Sequence, residues 1–240
     1  MHHIEIEWHG RIDYQTAWDC QKRLAAERKA DPTLPGKLLL LEHPPTYTLG
    51  RNGRLDNLLL TEQELAQRGI GLFRVERGGD ITYHGPGQLV GYPILNLRQV
   101  YPAFGLGRIR EYVTDLEAVL IQTLDDFGIS GRRHDQHRGV WVETAAGLAK
   151  IAAIGVRISG GISSHGFALN IAPDLDYFSG IVPCGIQEHG VTSMAVELEY
   201  PVTIQDVLPH LTAAFQNVFP INPINPINPI TQLPNYPVTF

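Results

Sequence analysis

The chain lacks most of the features that assign a sequence quickly. It has two cysteines, Cys20 and Cys184, in 240 residues; that is too few for a disulfide framework, and two free thiols are expected. No apolar run reaches membrane-spanning length. Basic residues do not dominate: 19 Lys and Arg stand against 25 Asp and Glu, a formal net charge of -6, so the global field of a nucleic-acid binder is excluded. The opening "MHHIEIEWHGRIDY" has no basic region followed by an apolar stretch, so secretion is not signalled and a cytoplasmic location is expected. The glycine-rich segments match neither the phosphate-loop spacing nor the dinucleotide fingerprint. "HDQH" at 134–137 has metal-like chemistry, but no second cluster at ligand spacing completes a site, and no metal is expected.

With 43% hydrophobic and 18% charged residues, the chain reads as globular and long enough for a well-buried core. "IEIEWHG" alternates as a half-buried strand does. "DYQTAWDCQKRLAAERKAD" has helical spacing with Asp13 as N-cap, and places Cys20 in a core. "KLLLLEHP" reads as a buried strand and "PPTYTLGRNGRLDN" as a loop. "TEQELAQRG" carries Thr61 and Glu64 at capping-box spacing with Gly69 beyond its end. "GLFRVERGG" and "QLVGYPILNL" are strands flanking a loop. "FGLGRIREYVTDLEAVLIQTLDDFG" is the longest helical signal, followed by the strands "GVWVET", "LAKIAAIGVRI" and "GFALNIAP". A late helix, "TIQDVLPHLTAAFQNVF", starts at Thr203 and should be disturbed by Pro209. Helices and strands do not alternate regularly, so the expected class is α+β, a mixed sheet with packed helices. One domain spans 1–219. The threefold Ile-Asn-Pro repeat makes 220–240 an extended or disordered tail, because proline at every third residue forbids helix and blocks a central strand.

Chemistry concentrates in three places. "RGGDITYHGPGQLVGY", Arg77 to Tyr92, surrounds one Arg and one His with glycine, which gives a ligand access to the backbone. "RISGGISSHGFALNI" echoes it: Arg157, Gly160, Gly161, His165 and Gly166 parallel Arg77, Gly78, Gly79, His84 and Gly85. Two such turns could face each other and line a slot for a long thin ligand, or be unrelated hairpins. Cys184, between Pro183 and Gly185, sits in an irregular turn that can expose a thiol. Lys150 lies in the apolar run "GLAKIAAIGV"; with its head in a cleft it would stabilise a nearby thiolate and take a proton. Arg132, Arg133 and Arg138, with His134 and His137, form a basic cluster that is either a solvated turn or a docking patch for an acidic partner. His43, in a loop, is ambiguous.

Together, "RGGDITYHGPGQLVGYPILNL", "KIAAIGVRISGGISSHGFALNI" and "IVPCGI" resemble the octanoyltransferases of lipoate biosynthesis, also called lipoyl(octanoyl) transferases, over roughly Leu38 to Met194. The resemblance implies a fold related to biotin and lipoate protein ligase catalytic domains. It implies an acyltransferase that moves an octanoyl or lipoyl group from acyl carrier protein to a lysine of lipoyl domains, such as E2 subunits or the glycine-cleavage H protein, the first step of endogenous protein lipoylation. Carried onto this chain, Cys184 is the acyl-thioester nucleophile and Lys150 the residue that lowers its pKa. Arg77, Gly78, Gly79, Asp80, Ile81, Thr82, Tyr83 and His84 form part of the acyl pocket. Ala153, Ile154 and Gly155, with Gly166, Phe167 and Ala168, complete it. No cofactor is implied; a monomer is expected. The alternatives are an ATP-dependent lipoate or biotin protein ligase and a non-catalytic acyl-binding protein on the same fold.

Overall fold

The computed structural model describes residues 3–101, 105–182, 189–219 and 228–229. The run Leu38–Leu41 shows why its sheet is buried on both faces. It lies in β2 (Gly36–Glu42), and successive side chains of a strand point to opposite sides. Leu38 and Leu40 enter one core with α4 (Leu106–Asp125) and α6 (Ile204–Val218), while Leu39 and Leu41 enter another with α1 (Tyr14–Ala30).

The large mixed sheet contains β1 (Ile4–Arg11), β2, β6 (Gln88–Ile94), β7 (Val140–Thr144), β8 (Gly147–Ser159), β9 (Ile162–Asn170), β10 (Gly190–Val191) and β11 (Asn228–Pro229). Its order is β10-β8-β9-β6-β2-β1-β11, with β7 on β8 as well. The pairs β1–β2, β1–β11 and β8–β10 are parallel, and the rest antiparallel. A second sheet, β4-β3-β5, joins β3 (Thr46–Leu49), β4 (Gly71–Arg74) and β5 (Ile81–His84). It has its own core of Tyr47, Leu49, Leu65, Ile70, Ile81, Tyr83 and Ile181. Three short helices, α2 (Glu62–Gln67), α3 (Leu97–Val100) and α5 (Met194–Leu198), and 3₁₀ turns at Leu55–Asn57 and Leu175–Gly180 complete the described elements. The mixed sheet with packed helices is the architecture expected from the sequence.

The caps also fall where the sequence puts them. Asp13 accepts from the Thr16 amide at 3.1 Å, and Thr61 and Glu64 form a reciprocal capping box. Three local expectations need correcting. "TYTL" was expected in a loop but forms β3: Tyr47 and Leu49 fill the second core while the threonines alternate with them, a pattern hidden by the flanking Pro-Pro and Gly. Ile81–His84, inside the glycine-rich loop, is β5 for the same reason. Helix α6 runs unbroken through Pro209. The ring costs one bond to the carbonyl four residues back, near the helix start, and burial of Leu208, Leu211 and Phe215 holds the helix together. Of the Ile-Asn-Pro segment, Asn228 and Pro229 are described. They pair with Glu7 and Trp8 on the outer edge of β1, the sheet position that tolerates proline.

Candidate active site

Glycines bring the two sheets together. Gly155 on β8 pairs with Gly166 on β9, which removes two side chains from the centre of the sheet. The segment before β5 fills the space: the Gly78 amide donates to the Val156 carbonyl at 2.9 Å. A Cβ at Gly155 would stand 2.9 Å from the Gly78 oxygen and 3.0 Å from the Arg77 side chain. Between the sheets runs a narrow slot of about 500 Å³, its open mouth included. Its walls are Arg77, Gly79, Thr82 and His84 on one side, and Ala153, Ile154, Gly155, Gly166, Phe167 and Ala168 on the other. Tyr14, Tyr92 and His165 also line it, and Lys150 sits at one end.

The parity of β5 sorts the first segment. Thr82 and His84 face the slot, whereas Ile81 and Tyr83 are fully buried in the second core. Asp80 ties loops together, accepting from the amides of Arg54 (3.1 Å) and Ile81 (2.7 Å) and from the Asn57 side chain. Gly78 and Asp80 border a wider outer cleft rather than the slot. Of the two glycine-rich turns, only the first reaches the slot. Gly160 and Gly161 close the β8–β9 hairpin near Lys29 and Arg98, and the second wall comes instead from the strands themselves.

Arg77 is 7% exposed and held along β3. Its Nη2 donates to the Thr48 carbonyl (2.6 Å) and hydroxyl (2.8 Å), its Nε to the same hydroxyl (3.2 Å) and its Nη1 to the Gly78 carbonyl (3.0 Å). The titratable side chains beside this buried cation are shifted toward their neutral forms. Burial lowers the His165 pKa to about 3 and that of His43 to about 4, with the Arg77 charge adding to the effect at His165. His84 is pushed well down by burial and then by its His43 and Arg77 neighbours. Burial raises Tyr14 to about 12, and Tyr92 well above its usual value. His43 Nδ1 donates to the Ile12 carbonyl (2.8 Å), which leaves Nε2 to accept from the Tyr92 hydroxyl (2.8 Å). His84 Nδ1 donates to Gln88, whose own amide donates to Tyr83 and Asn170.

Lys150 owes its place to a bulge. Val140 pairs with Ala152 but Trp141 pairs with Lys150, so Ile151 is an extra residue in β8. The bulge resets the alternation, and Lys150 and Ala153, an odd number apart, both line the slot. The ammonium lies 4.6 Å from the centre of the Trp141 ring, while Val191 of β10 pairs alongside. Lys150 lines the slot, a small pocket beside Val191 and Asn170, and the outer cleft of about 1070 Å³. The outer cleft is bounded by Gln136, His137 and Arg138 from the basic cluster. That cluster folds around a buried carboxylate: Glu117 lies 3.3 Å from Arg133 and 3.9 Å from Arg138 and accepts from the Gly139 amide, while Arg132 pairs with Glu143 at 2.5 Å. Cys184 lies outside the described residues; the described chain resumes before β10, which runs beside Lys150. Cys20 is buried under α1, in a core as expected.

Sequence reading missed Tyr14, Thr48 and Tyr92 and left His43 ambiguous, while His165, read there as part of the second glycine-rich turn, lines the slot from β9. Tyr14 and Tyr92 carried only the signal of aromatics in regular elements, which is ordinarily a core signal. Thr48 was hidden in the supposed loop.

The chain matches the lipoyl protein ligase A/B catalytic domain family over residues 13–216. It is 48% identical over 210 residues to an octanoyltransferase of Koribacter versatilis, covering 88% of this chain and 82% of that protein. To an octanoyltransferase of Solibacter usitatus it is 50% identical, covering 88% and 90%. Its fold is similar to that of a bipartite lipoate protein ligase from Thermoplasma acidophilum, with a TM-score of 0.69 at 16% identity over 95% of this chain and 88% of that one. The slot between two sheets therefore sits in a chain that belongs to the octanoyltransferase family and is an acyltransferase.

Proposed function

We propose that the protein moves an octanoyl group from acyl carrier protein to a lysine of a lipoyl domain, through a thioester on Cys184. The observation that carries this reading is the position of Lys150, where a narrow slot with few side chains opens into a wide cleft. The slot suits an alkyl tail, the junction suits the reacting carbonyl, and the cleft admits first the donor and then the acceptor.

In the first half-reaction the Cys184 thiolate attacks the donor thioester. A carbon–sulfur bond forms to Cys184, the donor's carbon–sulfur bond breaks, and Lys150 gives its proton to the departing thiolate. In the second, the acceptor's neutral amine attacks the Cys184 thioester. An amide bond forms, the sulfur leaves as thiolate, and the neutral Lys150 amine takes the proton that the nitrogen sheds. Both residues end as they began. The positive charge of Lys150 favours the resting thiolate. Thioester exchange is nearly isoenergetic and amide formation from a thioester is downhill, so the cycle requires no nucleotide. Of the first segment, Arg77, Gly79, Thr82 and His84 form the slot wall, while Gly78, Asp80, Ile81 and Tyr83 hold its shape. Arg138, on the cleft rim, is placed to attract an acidic carrier. The acting unit in this reading is a cytoplasmic monomer built on residues 1–219, with 220–240 carrying no chemistry.

The test is a mass spectrum of the protein after mixing with octanoyl acyl carrier protein and no nucleotide. The expected result is a single octanoyl adduct on Cys184, discharged by a lipoyl domain. Cys184→Ser should fold and lose transfer by about a thousandfold or more, since a hydroxyl is a poor nucleophile without strong activation. An adduct formed only with ATP would make the protein a ligase. Binding without transfer would make it a non-catalytic carrier.

A further inference from the structure

The slot has two unlike ends. Lys150 borders the slot and both openings beside it, whereas Tyr14, His84 and Tyr92 border the slot alone. Strand register gives the separation. Gly155 lies opposite Gly166, and Gly91 opposite Phe167, so Tyr92 stands beside the Gly155–Gly166 pair. Five residues of β8 divide that point from Lys150, about 15 Å of strand. Tyr92 therefore stands toward the end of the slot away from Lys150, where His165, opposite Val156, lines it one register step beyond.

The Tyr92 ring is fixed in place. The hydroxyl donates to His43 Nε2 at 2.8 Å, and His43 is anchored through Nδ1 to the Ile12 carbonyl. Tyr14 packs its ring 4.9 Å from both His43 and Phe73. Tyr14, His43 and Tyr92 are all 3% exposed or less. The Tyr92 hydroxyl and both His43 nitrogens are already engaged, so an alkyl terminus meets ring carbon there. A wall of this kind cannot yield by a rotamer change without breaking buried hydrogen bonds.

We infer that Tyr92, braced by His43 and Tyr14, is the end stop that fixes the length of the acyl chain the slot accepts. The inference rests on the acyl-transfer reading above and names the specificity determinant of that same site. A chain one or two methylenes too long must displace a buried, bonded aromatic ring, and a chain too short leaves the space before it empty. Within one pocket, a methylene alters selection by about 10–200-fold.

The experiment compares kcat/KM for acyl carrier protein loaded with acyl chains of about 6, 8, 10 and 12 carbons, a span over which the methylene effect resolves one chain from the next. Wild type should peak at the eight-carbon chain. Tyr92→Ala should move the optimum to longer chains and raise the twelve-to-eight ratio by about tenfold or more. Tyr14→Leu should shift it the same way by less, and Tyr92→Phe, which keeps the ring, should restore the eight-carbon optimum. Calorimetric binding of octanoate and dodecanoate reads slot length without chemistry: wild type should discriminate against dodecanoate and Tyr92→Ala should not. An unchanged profile and unchanged discrimination in folded Tyr92→Ala overturns the end stop. Should that variant not fold, the same result in Tyr14→Leu overturns it. Wild type that binds octanoate but transfers no chain of any length refutes the transfer reading, while the binding comparison still decides the end stop.

Discussion

Arg77–Tyr92 and Arg157–Ile171 share an Arg, a Gly-Gly pair and a His-Gly pair in the same order, yet the fold uses their glycines differently. In the first stretch, Gly78 docks its backbone onto β8, with its amide on Val156. In the second, Gly160 and Gly161, with φ of +65° and +90°, only turn a hairpin. The glycine of the second stretch that matters to the slot is Gly166, inside a strand and opposite Gly155. Glycine thus does two jobs here: it supplies a left-handed turn, and it supplies clearance where two backbones meet. Sequence displays both in the same letter. Substitution separates them.

Clearance should be the less forgiving. A Cβ on Gly166 would run into the Gly91 carbonyl and the Pro93 ring, neither of which can rotate away. Gly166→Ala should therefore destabilise by about 3 kcal/mol, at the upper end for overpacking. At Gly155 the added carbon meets the Gly78 oxygen at 2.9 Å, so Gly155→Ala should cost about 1–2 kcal/mol. It should also narrow the slot enough to slow acyl capture more than it lowers stability. Urea melts and adduct formation, measured on the same samples, check both. If Gly166→Ala melts like wild type, the distinction between clearance and turn fails at its strongest point.

The histidines of the two stretches are, by contrast, alike. His84 and His165 face the same slot, and burial depresses both, His165 to about 3 and His84 well below its usual value. His43 behind them is lowered to about 4. Unfolded, each titrates near 6.5. Between the folded and unfolded values the unfolded chain binds more protons, so stability rises with pH there and is lost as pH falls below about 6.5. His165 and His43 each contribute a slope of about 1.4 kcal/mol per pH unit, or about 2 kcal/mol lost on going from pH 7 to pH 5, and His84 adds in the same direction. His43→Gln should flatten part of that slope. A urea midpoint that stays level from pH 7 to pH 5 would show these rings to be hydrated in solution.

Much of this is legible in the sequence alone. Helix α1 with Asp13, the capping box at Thr61, the run Leu38–Leu41 and the long helix α4 follow from spacing and caps. The first wall of the slot follows in outline from its glycine cluster, whereas the second comes from strand residues that the family resemblance, not the Gly160–Gly161 turn, pointed to. What was not legible depends on tertiary geometry. Strand β5 sends Ile81 and Tyr83 away from the ligand and Thr82 and His84 toward it, a parity set by which sheet face meets β8. The bulge at Ile151 that turns Lys150 into the slot leaves no trace in "GLAKIAAIGV". Tyr14 and Tyr92 read as core aromatics because, apart from one exposed ring face in a slot, they are core aromatics. Chemistry-bearing residues announced themselves by type; the residues that shape the space did not.

The smallest expected effect is the sharpest control on that contrast. Gly160 has φ of +65°, a left-handed value that asparagine tolerates better than other side chains. With Gly161 following, Gly160→Asn creates the sequence most favoured in two-residue hairpins of this hand. The added Cβ meets only the Lys29 side chain, at 3.3 Å from its Cε, and a flexible lysine can move aside. Neither Gly160 nor Gly161 lines the slot. Gly160→Asn should therefore change stability by no more than about 0.5 kcal/mol in either direction, and leave the rate of octanoyl capture at its wild-type value. Any clear loss of capture in this variant would mean that the hairpin tip is coupled to the slot, and that the two stretches resemble each other in function as closely as they do in composition.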